Sequence, residues 1–249
     1  MLITSLAIVV GLAQERRALA HALALPREER IGEFRVLRGT LAGRSLHLIQ
    51  AGVGAARAGR ATRDLLDRLP CDGVWSLGFA GGLVAGLSPG DLVCADRLLC
   101  ETADGCAVQL GAAAGTVVAA LCAAGLRAHA GPILTVGAPL RTAAAKRAAH
   151  ERTGALAADM EAFGVAEAAA AHGVPWAALK VILDGVEDPL PEVTVRCTTP
   201  RGDLSIRGLA EALLEGGATL AALWRLGRSV RVARRTLRGG LQAAAAWSP

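Results

Sequence analysis

The chain has 249 residues, 53% of them hydrophobic, and a formal net charge of +5, enough apolar content to build the core of one α/β domain and to exclude low-complexity disorder. Six positive charges, on Arg225, Arg228, Arg231, Arg234, Arg235 and Arg238, fall within a C-terminal stretch that contains no acid. The body of the chain is therefore close to neutral and gives no reason to expect a nucleic-acid partner. The six cysteines form no CxxC pair and the five histidines do not cluster near them, which excludes zinc-ligand spacing and suits buried thiols in a reducing cytoplasm.

Residues 1 to 11 lack a basic leader region and run into Glu15-Arg16-Arg17, so they read as a first buried strand followed by a helix over 13–23. Residues 35–38 and 45–50 read as a hairpin about the Gly39–Gly43 turn. Gln50-Ala51-Gly52-Val53-Gly54 then stands between a strand and a helix over 55–69. Glycines at such a junction serve either as a bare tight turn or as a cradle that brings helix N–H groups to a ligand.

Residues 74–77 form another buried strand, leaving through the glycine cluster Gly78-Phe79-Ala80-Gly81-Gly82-Leu83. Pro89-Gly90-Asp91-Leu92-Val93 is a turn into a strand, and a loosely patterned middle precedes a helix over 112–125. The uncharged run 110–126 falls short of a bilayer span and reads as core. A strand over 132–136 empties into Gly137-Ala138-Pro139-Leu140, ahead of a helix over 142–152.

Asp159-Met160-Glu161 opens a helix that stops at His172-Gly173-Val174-Pro175. A strand over 176–182 follows, with Asp184 just past its carboxyl end, where open α/β sheets bind ligands. Residues 189–203 read as a loop or lid, and 205–216 and 218–238 as helices. Strands and helices alternate along most of the chain. That predicts a three-layer α/β/α sandwich with a mixed, largely parallel sheet, spanning 1–204, and a helical extension over 205–249 packed on it.

The ordered set Gly52-Val53-Gly54, Gly78-Phe79-Ala80-Gly81-Gly82-Leu83 with Gly90-Asp91-Leu92-Val93, Asp159-Met160-Glu161 and Asp184 resembles the nucleoside phosphorylase and nucleosidase superfamily over residues 5–188. Asp188-Pro189-Leu190-Pro191 and the Arg-rich C-terminal helix make the chain similar to its hopanoid-associated branch. The resemblance implies cleavage of the N-glycosidic bond of a purine nucleoside with a bulky hydrophobic 5′ substituent, adenosylhopane in that branch, with release of adenine; the alternative is a nucleoside-binding or membrane-associated protein of the same fold without competent catalysis. It implies no metal or organic cofactor, with phosphate the one co-substrate to consider, and a cytoplasmic homodimer.

Carried over by position, the resemblance makes Asp184 the acid beside purine N7 and Glu161 the acceptor for ribose hydroxyls. Met160 then packs on the sugar, Phe79, Ala80, Gly81 and Gly54 border it, and Pro139 and Leu140 lie at the base. Protonating N7 as the C–N bond stretches eases departure of the base, and an apolar strand end is expected to keep the Asp184 carboxyl protonated near neutrality. The alternative for Asp184 is a cap or turn aspartate, and for Glu161 a first-turn acid favoured by the helix dipole.

The residues at the superfamily's phosphate positions are Glu15, Ser76 and Phe79, so phosphate loses its cationic partners unless Arg16 replaces them. Counted from Gly11, the water-activating glutamate falls on Arg16. A one-residue shift in the first turn makes Glu15 that group, and without the shift Glu15 and Arg16 are a solvated helix face. Leu183 replaces a serine that orients the acid. The basic helix over 218–241 either lies on an anionic bilayer or packs on protein with its arginines solvated.

Overall fold

The computed structural model describes residues 4–102, 105–111, 114–190, 198–203, 205 and 217–244. In chain order the elements are β1 (Ser5–Val10), α1 (Ala13–Ala20), β2 (Ala24–Ile31), β3 (Phe34–Leu41), β4 (Arg44–Gln50), α2 (Ala55–Leu66), β5 (Gly73–Gly82), β6 (Leu92–Thr102) and β7 (Gly105–Leu110). There follow α3 (Ala114–Ala123), β8 (Ala128–Thr135), α4 (Ala143–Thr153), β9 (Ala157–Asp159), α5 (Ala162–Ala171), β10 (Trp176–Asp184) and α6 (Gly217–Ala244).

A mixed sheet forms the middle layer, in the order β10-β6-β8-β9-β5-β1-β4-β3-β2, with β7 added beside β6. β10 also pairs with β5, so β5, β10, β6, β8 and β9 close on themselves while β1 to β4 extend from the ring as an open wing. Parallel pairing joins β1 to β4 and β5, β5 to β10, and β8 to β6 and β9; the remaining pairs are antiparallel. β1 is buried on both faces, which its unbroken apolar run permits. Leu6, Ile8 and Val10 join the core formed with α1, α3 and α6, and Ala7 and Val9 join the core formed with α2. Helices α1, α3 and α6 thus cover one face, and α2 and α5 the other. The last two meet backbone to backbone: a Cβ on Gly164 would stand 2.0 Å from the Ala55 carbonyl oxygen.

Several elements differ from the sequence reading. β2 is a strand in a stretch, Pro26-Arg27-Glu28-Glu29-Arg30, to which the sequence reading assigns no element. It lies at the sheet edge, where charges face water and the register shifts between Ala24 and Arg27 beside the proline. β7 occupies the loosely patterned middle. β5 runs through the glycine cluster, which is strand and not an exit loop. Asp159 is the last residue of the short strand β9, and the helix that this stretch opens, α5, starts at Ala162; Asp184 is the last residue of β10 and does not lie beyond it.

The C-terminal helix continues to Ala244 and packs through Ala233, Leu237, Leu241 and Ala244 against the α1/α3 layer. Trp224 is 61% exposed, with the Arg228 guanidinium 5.5 Å from its ring centre. Residues 206–216 of the helix expected over 205–216, Cys197 and the middle of the 189–203 loop lie outside the described residues. Among the described residues no helix is long and apolar enough to cross a membrane.

Candidate active site

A cavity of about 580 Å³ opens where the carboxyl ends of β1, β4, β5, β8 and β10 face the starts of α1, α2 and α5. Glu15, Gly54, Phe79, Ala80, Gly81, Pro139, Leu140, Met160, Glu161 and Asp184 all line it. The side chains of residues 161 and 184 therefore share one chamber.

Glu15 lies in the first turn of α1 and is 3% exposed. Its Oε2 accepts the N–H groups of Gly11 (3.0 Å) and Leu12 (2.8 Å), two of the donors that a helix start leaves unpaired. Its Oε1 accepts the N–H of Phe79 at 2.7 Å. Residue 78 has to be glycine for this approach, because a Cβ there would come within 2.7 Å of Oε1. Burial raises the Glu15 pKa, and nearby Lys180 and the three N–H donors oppose the rise. Arg16, the other candidate in this turn, is turned away to Glu28 at 3.7 Å and is not part of the cavity lining. Glu15 thus faces the cavity, and Arg16 does not line it.

Asp159 accounts for the start of α5. Its Oδ2 accepts N–H from Glu161 (3.3 Å) and Ala162 (2.8 Å), and its Oδ1 accepts the Thr135 hydroxyl at 2.7 Å. Glu161 makes no capping bond with its side chain, so the first-turn reading of this residue does not describe it. Its Oε1 instead accepts the Gly54 N–H at 3.1 Å, which ties the first residue of the α5 turn to the glycine junction before α2. Burial, then the neighbouring Asp159 charge, pushes the Glu161 pKa up to about 8.

Beneath these carboxylates lies Lys180 of β10, 2.9 Å from Asp159 Oδ2 and donating to Ser76 Oγ at 3.0 Å. Burial works against its charge, but Asp159, Glu161 and Glu15 together outweigh burial and raise its pKa. Ser76, at a superfamily phosphate position, is buried under this lysine and does not line the cavity.

At the far side, Asp184 is not in the purely apolar surroundings expected for it. Lys146, on the first turn of α4 and 1% exposed, donates from Nζ to Asp184 Oδ2, to the Gly185 carbonyl (2.6 Å) and to the Asp188 carbonyl (2.8 Å). Burial raises the Asp184 pKa, and Lys146 opposes the rise. The turn role open to Asp184 belongs to Asp188, whose Oδ2 accepts the Gly185 N–H at 2.9 Å.

The remaining wall is largely apolar: Leu12, Val53, Leu83, Val136, Leu183 and Leu190, with Leu226 and Val230 contributed by α6. Thr198, Thr199 and Pro200 close another side, and this part of the expected lid is tied down. The Pro200 carbonyl accepts Val53 N–H at 3.0 Å, and the Gly202 carbonyl accepts Ala13 N–H at 2.9 Å.

Sequence reasoning missed both lysines, although a signal was present. Of the 27 basic residues only Lys146 and Lys180 are lysine, and both are buried beside the candidate site carboxylates. Where a compact ammonium with three donors is not needed, this chain uses arginine.

The sequence model of the phosphorylase superfamily matches residues 5–215. Futalosine hydrolase of Streptomyces coelicolor is 38% identical over 208 residues, covering 73% of this chain and 84% of that protein. The 5′-methylthioadenosine/S-adenosylhomocysteine nucleosidase of Actinobacillus succinogenes is 36% identical over 97 residues, 39% of this chain and 42% of that one. Among solved structures, the corresponding nucleosidase of Neisseria meningitidis in complex with methylthio-immucillin-A superposes with a TM-score of 0.71 at 17% identity, covering 96% of this chain and 99% of that one. That likeness is one of fold.

Proposed function

The chain belongs to the phosphorylase superfamily and is an enzyme of nucleoside N-glycosidic bonds; from that premise we propose that it hydrolyses a purine nucleoside carrying a bulky apolar 5′ substituent. The observation that carries the reading is the grouping of Glu15, Glu161 and Asp184 around one cavity. In the proposed reaction Asp184 gives its proton to purine N7, and the C1′–N9 bond breaks with its electron pair passing to the base. Glu15 takes a proton from the water that adds to C1′. Glu161 accepts from the ribose hydroxyls, with Met160 and Phe79 against the sugar. Solvent returns the proton from Glu15 to Asp184, so sugar and free base are the products. The reaction calls for no metal or organic cofactor.

Hydrolysis is favoured over phosphorolysis because no arginine is among the described residues lining the cavity, and the three donors of Lys146 are already engaged. An apolar 5′ group is supported by Leu226 and Val230, which extend the wall onto α6. The exposed Trp224 and Val232 on the same arginine-rich helix favour a substrate taken from a membrane surface, an adenosyl lipid such as adenosylhopane. The second reading, futalosine, rests on the similarity to the Streptomyces coelicolor enzyme.

Base release from 5′-methylthioadenosine, a 5′-alkyl adenosine, adenosylhopane in detergent and futalosine, each with and without phosphate, tests the proposal. We expect phosphate-independent release, fastest from the long apolar adenosines, and a loss of about 100-fold or more in Asp184→Asn. Strict phosphate dependence, or undiminished turnover in that variant, overturns it. Preference for futalosine selects the second reading.

A further inference from the structure

Placing a lysine where Lys146 stands is costly on three counts. It is buried, it lies in the first turn of a helix whose dipole disfavours a cation there, and its side chain loses all rotamer freedom. A chain that otherwise uses arginine retains lysine here. The compensation is complete, since the three N–H donors of Nζ meet three acceptors, Asp184 Oδ2 and the carbonyls of Gly185 and Asp188. The two carbonyls fix the turn that follows β10, and the carboxylate contact fixes the acid itself. Leu183, the residue before Asp184, offers no hydroxyl to orient it.

We propose that Lys146 is the positioning residue of the candidate acid: it holds Oδ2 of Asp184, leaves Oδ1 to carry the proton toward the base, and receives the negative charge that appears when that proton leaves. The inference rests on the hydrolase reading above. The step balances without a further reactant. The O–H bond of Asp184 breaks, the N7–H bond forms, and the new carboxylate pairs with an ammonium already in place, so no solvent need reorganise around it.

Lys146 approaches Asp184 from α4 and Asp188 from the turn, with opposite effects on its proton, and Arg225 and Arg228 of α6 line a second cavity that Asp184 and Asp188 share. From β5 the neighbour is Gly81, which presents no charge. The Arg147–Glu187 pair lies outside, more than half exposed on both sides.

The test uses Lys146→Met and, as a charge-retaining second variant, Lys146→Arg. In each, ¹³C-aspartate NMR follows the titration of Asp184, identified by the signal lost in Asp184→Asn, and base release is measured across pH with thermal unfolding alongside. In Lys146→Met we expect Asp184 to titrate at higher pH and the alkaline limb of kcat/KM to move the same way. We expect kcat to fall about 10- to 100-fold with KM within a few-fold of the parent. Lys146→Arg, which keeps the charge without the three-point geometry, should hold the titration near the parent position and recover only part of the rate. An unmoved Asp184 titration, or a rate loss no larger than the unfolded fraction, overturns the proposal. If Lys146→Met does not fold, an Lys146→Arg protein with full parental kcat overturns it as well. Failure of the parent to release any base would sink the hydrolase reading, and the NMR arm would still decide whether Lys146 governs Asp184.

Discussion

Lys180 and Asp159 stand 2.9 Å apart with side chains 2% and 0% exposed, the most deeply buried ion pair among the described residues. The lysine answers more than its partner, because Glu161 and Glu15 also act on its charge. Lys180→Met leaves these buried carboxyls without their cation and should cost about 3–5 kcal/mol. The loss should be largest above pH 7 and smaller near pH 5, where the carboxyls can protonate. Urea midpoints at the two pH values check this.

Glu15→Gln separates two roles of one side chain. The carboxylate accepts three backbone N–H groups, whereas a carboxamide offers one oxygen and turns an NH₂ toward donors. We expect a stability loss of about 1–3 kcal/mol, and base release lower by about 100-fold or more with nucleoside affinity little changed. Denaturation, turnover and calorimetric binding on the same preparation distinguish the effects.

Glu161 gives the fold a pH dependence of known sign. Its folded pKa of about 8 lies above the ordinary 4.5, so between these values the folded chain holds more protons than the unfolded one. This stabilisation is full below about pH 4.5 and is lost as pH rises through 8. Glu161→Gln lacks it, so its stability relative to the parent should improve with pH by at most about 1.4 kcal/mol per unit between pH 5 and 8. Stability measured at unit pH steps gives the slope, and a variant whose stability relative to the parent falls or stays flat with rising pH contradicts the assignment.

Leu237 is fully buried where α6 meets the body of the chain. Truncation to alanine should cost about 2–5 kcal/mol. At a temperature where the variant stays folded, kcat should be close to the parent value, because Leu226 and Val230, not Leu237, face the cavity. Thermal melts and turnover at 20 °C below the melt of the variant provide the check.

The residues that bring carboxylates and glycines together were legible because their order along the chain is distinctive, and Asp159-Met160-Glu161 and Asp184 all reach the site region. What was not legible depends on partners far away in sequence. Nothing local to α4 marks Lys146 as buried, since an alanine-rich helix with one lysine has the pattern of a solvated face. The acceptors that make its burial tolerable, Asp184 and the carbonyls of Gly185 and Asp188, lie 38 to 42 residues on. Edge strands such as β2 escape because exposed charges obscure period-two alternation, and the closing of β10 onto β5 leaves no trace in the order of elements.

That closure makes β10 a ruler. It carries Lys180, which pairs with Asp159, and Asp184, the acid of the proposed reaction, and at about 3.3 Å per residue the two are roughly 13 Å apart along the strand. Hydrogen bonds to β5 run along one edge as far as Asp184, with a register shift after Ile182, and those to β6 hold Leu179 to Val181 on the other, so the strand that sets this interval is fixed by its neighbours. Under the proposed reaction, that makes selection by size rigid along the nucleoside and leaves adaptation to different 5′ groups to the surfaces around α6.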